Sequence, residues 1–175
     1  MRVSVVCNMV IVCVVGSLVF MAPGLTRQET TVTNEAKIAP QFAPVLSKLR
    51  KSTVPVYLPS WLPSNCTSGK VYISVDMTPL NDGKTSHQGY SVVLATNPGD
   101  NPSMVSRLFE LTGSEGYPIF KSKRHYDIGH GLLAYEEIGG NHPTLDWKVG
   151  KYSYSLSDTG PEMVQVAKSM VLLKK

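Results

Sequence analysis

The chain has 175 residues, 42% of them hydrophobic and 17% charged, with a net charge of +4. That balance fits one globular domain and excludes an intrinsically disordered chain. The mild basic excess, without a dense stripe or an aromatic platform to present it, argues against a nucleic-acid binder.

Between Arg2 and Arg27 no residue is charged. The Val-rich run over 3–21 is long enough to span a bilayer as a helix. Its cationic start, apolar middle and Ala22-Pro23-Gly24 end equally suit a secretory signal cleaved before Leu25. Residues 1–24 are thus a signal peptide or a membrane anchor, and both readings place the rest of the chain outside the cytoplasm. Val6 and Val12 precede Cys7 and Cys13, where a lipoprotein signal needs a small residue, so no lipid anchor is expected. Cys66 alone belongs to the remaining chain, which excludes a disulfide scaffold. With no His, Arg or Lys beside it in sequence, it reads as a small apolar residue rather than a reactive thiol.

Residues 25–52 read as a polar linker that carries a short amphipathic helix over 42–51. Pro44 suits its first turn, and Phe42, Val45, Leu46 and Leu49 share a face. A domain over 53–175 follows. Three prolines between Val54 and Pro63 forbid a helix or a central strand there. The segment is expected as an edge strand entering a turn, with Trp61 and Leu62 plugging one end of the core.

From Lys70 to Leu156 the pattern is β. Val71, Ile73 and Val75 alternate with Tyr72, Ser74 and Asp76; Tyr90, Val92 and Leu94 alternate with Ser91, Val93 and Ala95. Asn81-Asp82-Gly83 and Asn97-Pro98-Gly99 are turns. Strands are expected over 104–111, 132–138, 144–149 and 151–156, the last two a hairpin around Gly150, with 117–128 extended. A C-terminal helix follows: Thr159 and Glu162 have capping-box spacing, Pro161 sits in the first turn, and Met163, Val166, Ala167, Met170 and Val171 make one apolar stripe. The fold class is therefore α+β, an antiparallel β meander covered on one face by a C-terminal helix, with an N-terminal apolar helix.

Two segments resemble a known family. Trp147, Gly150, Tyr152, Tyr154 and Leu156, followed by Glu162, Ala167 and Ser169, resemble the end of the DUF4367 domain: a Trp strand, a Gly turn, a Tyr-x-Leu strand and a helix with an Ala-x-Ser step. The Pro-Val-Tyr-Leu-Pro-Ser-Trp-Leu-Pro stretch over 55–63 resembles its proline-flanked entry. The resemblance implies a bacterial domain that follows a signal peptide or single span, and it brings no established activity. The basic, His-bearing middle departs from the family pattern.

Candidate chemistry is sparse. Asp158-Thr159-Gly160 spells the aspartic-protease triplet, but the fifteen residues after Gly160 read as one helix and leave no chain for a flap. His125, Asp127 and His130, with His142 further on, are conceivable metal ligands, although their spacing matches no zinc motif. Lys121, Lys123, Arg124 and His125 form the densest charge cluster. It reads as edge-strand protection or as an anion or partner patch. Glu136 and Glu137 fall on opposite faces of a strand and cannot pair. P-loop, dinucleotide, His-Glu-x-x-His and Gly-x-Ser-x-Gly motifs do not occur in the sequence.

The sequence therefore leads one to expect a non-catalytic extracytoplasmic binding or sensing domain with no cofactor and no bound metal. Its partners would be the membrane, through an uncleaved N-terminal segment, and an envelope or other protein. A metal-dependent or other hydrolase using His125, Asp127 and His130, or a carrier of apolar ligands between sheet and helix, are the alternatives.

Overall fold

The alternating segments pair as antiparallel strands around one core. The computed structural model describes residues 34–77, 80–81, 86–99, 103–139 and 142–173. The readings for 1–24, for residues 25–33, for the tip of the turn after Asn81 and for Lys174 and Lys175 lie outside them. Residues from Val32 onward form a single compact unit.

A first short strand, β1 (Tyr57–Pro59), is followed by β2 (Tyr72–Asp76), β3 (Leu80–Asn81), β4 (Ser86–His87), β5 (Gly89–Ala95) and β6 (Arg107–Glu115). Then come β7 (His125–Asp127), β8 (Leu133–Gly139), β9 (His142–Val149), β10 (Tyr152–Ser157) and β11 (Met170–Leu172). Seven of them form one sheet in the order β2-β5-β6-β10-β9-β8-β7, while β1 pairs with β11 and β3 with β4. The sheet differs from the single meander expected. Two local meanders, β2-β5-β6 and β7-β8-β9-β10, meet where β6 pairs with β10, and residues 117–124 carry the chain from the middle of the sheet to its far edge. Alternation within a strand encodes a face, not a neighbour, so this closure has no sequence signature.

The register sorts the side chains cleanly. Ile73, Val75, Tyr90, Val92, Leu94, Phe109, Leu111, Tyr154, Leu156, Leu145, Trp147 and Ala134 stand on one face, because each is opposite another of them across the ladders, or, for Tyr90, opposite the Gly113 that Tyr154 also faces. All but Ile73 are buried. The Trp147 ring stacks on Tyr154 at 5.6 Å, and the Tyr57 ring meets Tyr154 edge-on at 5.1 Å. Between Tyr90 and Tyr154 in the ladder lies Gly113. A Cβ there would sit 2.5 Å from Cε1 of Tyr90 and 3.0 Å from Cε1 of Tyr154, so the two rings close over bare backbone.

Several short pieces, not one helix, cover this inner face. A 3-10 segment, Pro40–Val45, runs into the four-residue helix α1 (Leu46–Leu49). Phe42 and Leu49 are fully buried, and the Phe42 ring meets Phe109 edge-on at 5.5 Å. Residues 34–52 thus belong to the domain rather than to a linker, because their apolar face completes the core over β2 and β6. The proline-flanked entry lies over the tyrosines: the backbone N–H of Tyr57 donates to the Tyr90 hydroxyl at 3.2 Å, and the Tyr154 hydroxyl donates to the Pro55 carbonyl at 3.0 Å. The expected plug is half right. Leu62 is buried, whereas Trp61 stands at the surface. A second short helix, α2 (Ser64–Thr67), buries Cys66 against β6.

The C-terminal helix is also shorter than its apolar stripe suggests. A 3-10 turn, Gly160–Glu162, leads into α3 (Met163–Lys168), which packs Met163, Val166 and Ala167 into the core beside β10. Thr159 makes no capping hydrogen bond, and its hydroxyl is buried without a partner. Met170 and Val171 leave the helix and pair, as β11, with Pro59 and Leu58. Paired backbone on β1 captures these residues, and intrinsic helix preference is too weak to hold them.

Candidate functional site

The outer face of the sheet is polar and half covered. One row across the strands reads Ser91, Thr112, Ser155, Asp146, Tyr135 and His125, from β5 to β7. The row on one side reads Val93, Glu110, Ser157, Thr144 and Glu137; on the other, Ser114, Ser153 and Lys148. Short hydroxyl side chains on such a face would ordinarily meet bulk water. Here the segment that links β6 to β7 passes over them, and the Ser153 hydroxyl donates to the Tyr117 carbonyl to hold it. The His87 ring from β4 packs edge-on against Tyr117 at 5.4 Å.

Between this segment and the sheet lies a groove of about 450 Å³. Its floor is Thr112, Ser114, Thr144, Ser153 and Ser155 with Asp146 and Glu137; its wall is Tyr117, Pro118, Ile119 and Phe120. Asp146 is only 7% exposed. Hydroxyls of Ser155 and Thr144 donate to it, the latter at 3.4 Å. Burial pushes its carboxyl above the ordinary value, the charge of Glu137 adds to the rise, and the two hydroxyls oppose it. Glu137 stands opposite Thr144 and diagonal to Asp146, a spacing at which side chains on one face still reach each other. Phe120 forms the rim and is 68% exposed. The groove can therefore offer hydrogen-bond acceptors, two carboxylates and an aromatic edge to something small.

The residues singled out from sequence are dispersed. Lys121, Lys123, Arg124 and His125 are all exposed. Lys121 and Lys123 lie in the connecting segment, without strand geometry to align them. Arg124 reaches Glu136 at 3.7 Å on the inner side of the edge, where the Tyr126 hydroxyl also donates to Glu136 at 2.6 Å. His125 faces outward against the Tyr135 ring at 6.1 Å. Asp127 accepts the Gly129 backbone N–H at 2.8 Å in a turn, and His130 follows at a left-handed φ of 53°. His142 pairs instead with Asp158 at 3.3 Å. Among the described residues no group of three or more His, Cys, Asp or Glu side chains is arranged to hold a metal ion. Asp158 sits at φ 65° in the strand-to-helix turn, with Ser157 donating to it at 3.1 Å.

As expected of a small apolar residue, Cys66 is buried; its thiol donates to the Leu108 carbonyl at 3.3 Å. Burial, with the Glu162 charge, pushes the thiol up to about 11, so it is protonated at neutral pH. Glu136 and Glu137 do point to opposite faces, but Glu137 finds another carboxylate, Asp146, on the next strand.

No protein family, curated protein or solved structure matches this chain. Among the described residues no helix is long and apolar enough to cross a membrane.

Proposed function

We propose that the domain is a non-catalytic binding or sensing module that takes a small polar ligand in the groove beneath residues 117–120. One observation carries this reading: Asp146 is buried at the floor of an open groove, among hydroxyls that line it. A buried carboxylate costs stability unless something compensates it, and a groove of this size falls in the range of small-molecule sites. The residues that resemble the DUF4367 pattern, Trp147, Gly150, Tyr152 and Leu156, serve the scaffold. The resemblance therefore bears on architecture and setting rather than on the ligand. We also infer, from the uncharged run before Arg27, that the module acts outside the cytoplasm on an N-terminal helix that is cleaved or retained. A membrane or envelope partner fits that setting, and the exposed Lys121, Lys123, Arg124 and His125 at the sheet edge are the candidate patch for it.

Two measurements test this. In a thermal-shift screen with cationic, neutral and anionic small molecules, compounds that raise the melting temperature should lose their effect in Thr112→Trp, which fills the groove floor. Hits that survive the filled groove, or no hits at all, would refute the binding reading. For the setting, a reporter fused after Lys175 should be active outside the cytoplasm; activity inside refutes it.

A further inference from the structure

Resting on the groove as a binding site, we propose that its ligand is an organic cation, an ammonium or guanidinium compound. Its charged end would sit between Asp146 and Glu137, and its apolar part along Pro118 to Phe120. None of the residues that line the groove is basic, although the chain as a whole carries +4. The site is a local inversion of the protein's charge.

The surrounding charges leave this inversion intact. On β6, Glu110 is held by Arg107 at 2.6 Å. On β9, Lys148 is exposed and lies outside the lining. On β8, Tyr135 stands opposite Asp146, and on β7, His125 meets the Tyr135 ring at a tilt at the exposed edge. From the connecting segment comes Tyr117, which packs on His87.

Asp146 is hydrogen-bonded by hydroxyls, which stabilise its charge but do not neutralise it. An anion entering the groove would meet two like charges. A neutral polyol would satisfy the hydroxyls but leave both carboxylates uncompensated. A cation supplies the missing charge in a partly desolvated site, where an ion pair with hydrogen bonds is strongest. The wall from Pro118 to Phe120 offers apolar surface to the uncharged part of the ligand.

The test uses the full chain in detergent and four probes: benzylamine, benzyl alcohol and benzoate, which share one ring and differ in charge, and glucose. Isothermal titration should detect benzylamine and show far weaker binding of the other three. Asp146→Asn and Glu137→Gln should each weaken benzylamine at least about tenfold, as removal of one member of a desolvated charge pair does. Thr112→Trp should abolish its binding. Melting curves on each variant separate lost binding from lost folding; if Asp146→Asn does not fold, Glu137→Gln, at a half-buried position, decides. Benzyl alcohol or glucose binding as tightly as benzylamine would sink the cation assignment and leave the groove reading standing. No binding by any probe would sink both. Benzylamine binding that survives both carboxylate variants would place the cation elsewhere and overturn the proposal.

Discussion

At the scale of single residues, two positions carry costs that can be measured. Gly113 has no side chain because the rings of Tyr90 and Tyr154 occupy the space a Cβ would take, one of them at 2.5 Å. Neither ring can retreat freely, since both hydroxyls are bonded to the entry segment. Gly113→Ala should therefore destabilise by about 3 kcal/mol, the upper part of the range for overpacked cores. An unchanged denaturant midpoint would show that the rings give way. Asp146 is the second position. Its carboxyl titrates higher in the folded chain than in the unfolded one. The folded state thus holds the extra proton between the ordinary carboxylate value and the raised one, and stability falls as pH rises through that window. Asp146→Asn removes this penalty. Its advantage over the wild type should be nil in acid, grow across the window, and level off above it. Urea titrations from about pH 3 to about pH 8 bracket the ordinary carboxylate range and read this directly; an advantage independent of pH would contradict the assignment.

At the scale of elements, α3 and β11 show where sequence and structure part. Val166 is fully buried and Lys168 exposed. Val166→Asp should cost more than about 3 kcal/mol, because a charge would enter the core without a partner. Lys168→Ala should stay within about 0.5 kcal/mol. Equal melting temperatures for the two variants would move the helix off the core. The β9-β10 hairpin is legible in sequence because alternation, aromatics and Gly150 agree. Gly150 has the φ of 60° that its turn requires. β11 is not legible, because Met170 and Val171 continue the 3.6-residue stripe of α3 and their partners lie more than a hundred residues upstream. The groove is hidden for a different reason. Ser153, Ser155 and Thr112 look like the solvent side of any half-buried strand. They become the floor of a groove only because residues 117–120 are drawn over them. Asp146, flanked by Leu145 and Trp147, carries the one hint: an acid in the middle of a strand otherwise rich in apolar residues.

At the scale of the whole molecule, the unit beginning at Val32 has no detachable front. Phe42 and Leu49 fill the inner face over β2 and β6, and each large-to-small loss at such a site costs about 2–5 kcal/mol. Losing both approaches the net stability of a small domain, about 5–15 kcal/mol. A chain beginning at Thr53 should lack a cooperative melt, whereas one beginning at Val32 should show it. Near-ultraviolet dichroism of the two chains decides the matter, and matching signals would restore the linker reading of residues 34–52.

The junction of β6 with β10 also sets a timetable. Strands β8, β9 and β10 are neighbours in sequence and can zip through short loops, as can β5 with β6. The seam between the halves requires residues far apart in the chain to find each other, and closing that long loop costs entropy before any contact repays it. The polar floor of the groove straddles this seam, with Thr112 and Ser114 on one side and Ser153, Ser155, Thr144 and Asp146 on the other. The groove consequently does not exist in either half. If the seam closes after the transition state, a ligand that binds only the completed groove should slow unfolding and leave the rate of folding unchanged, which stopped-flow refolding and unfolding with and without benzylamine would read.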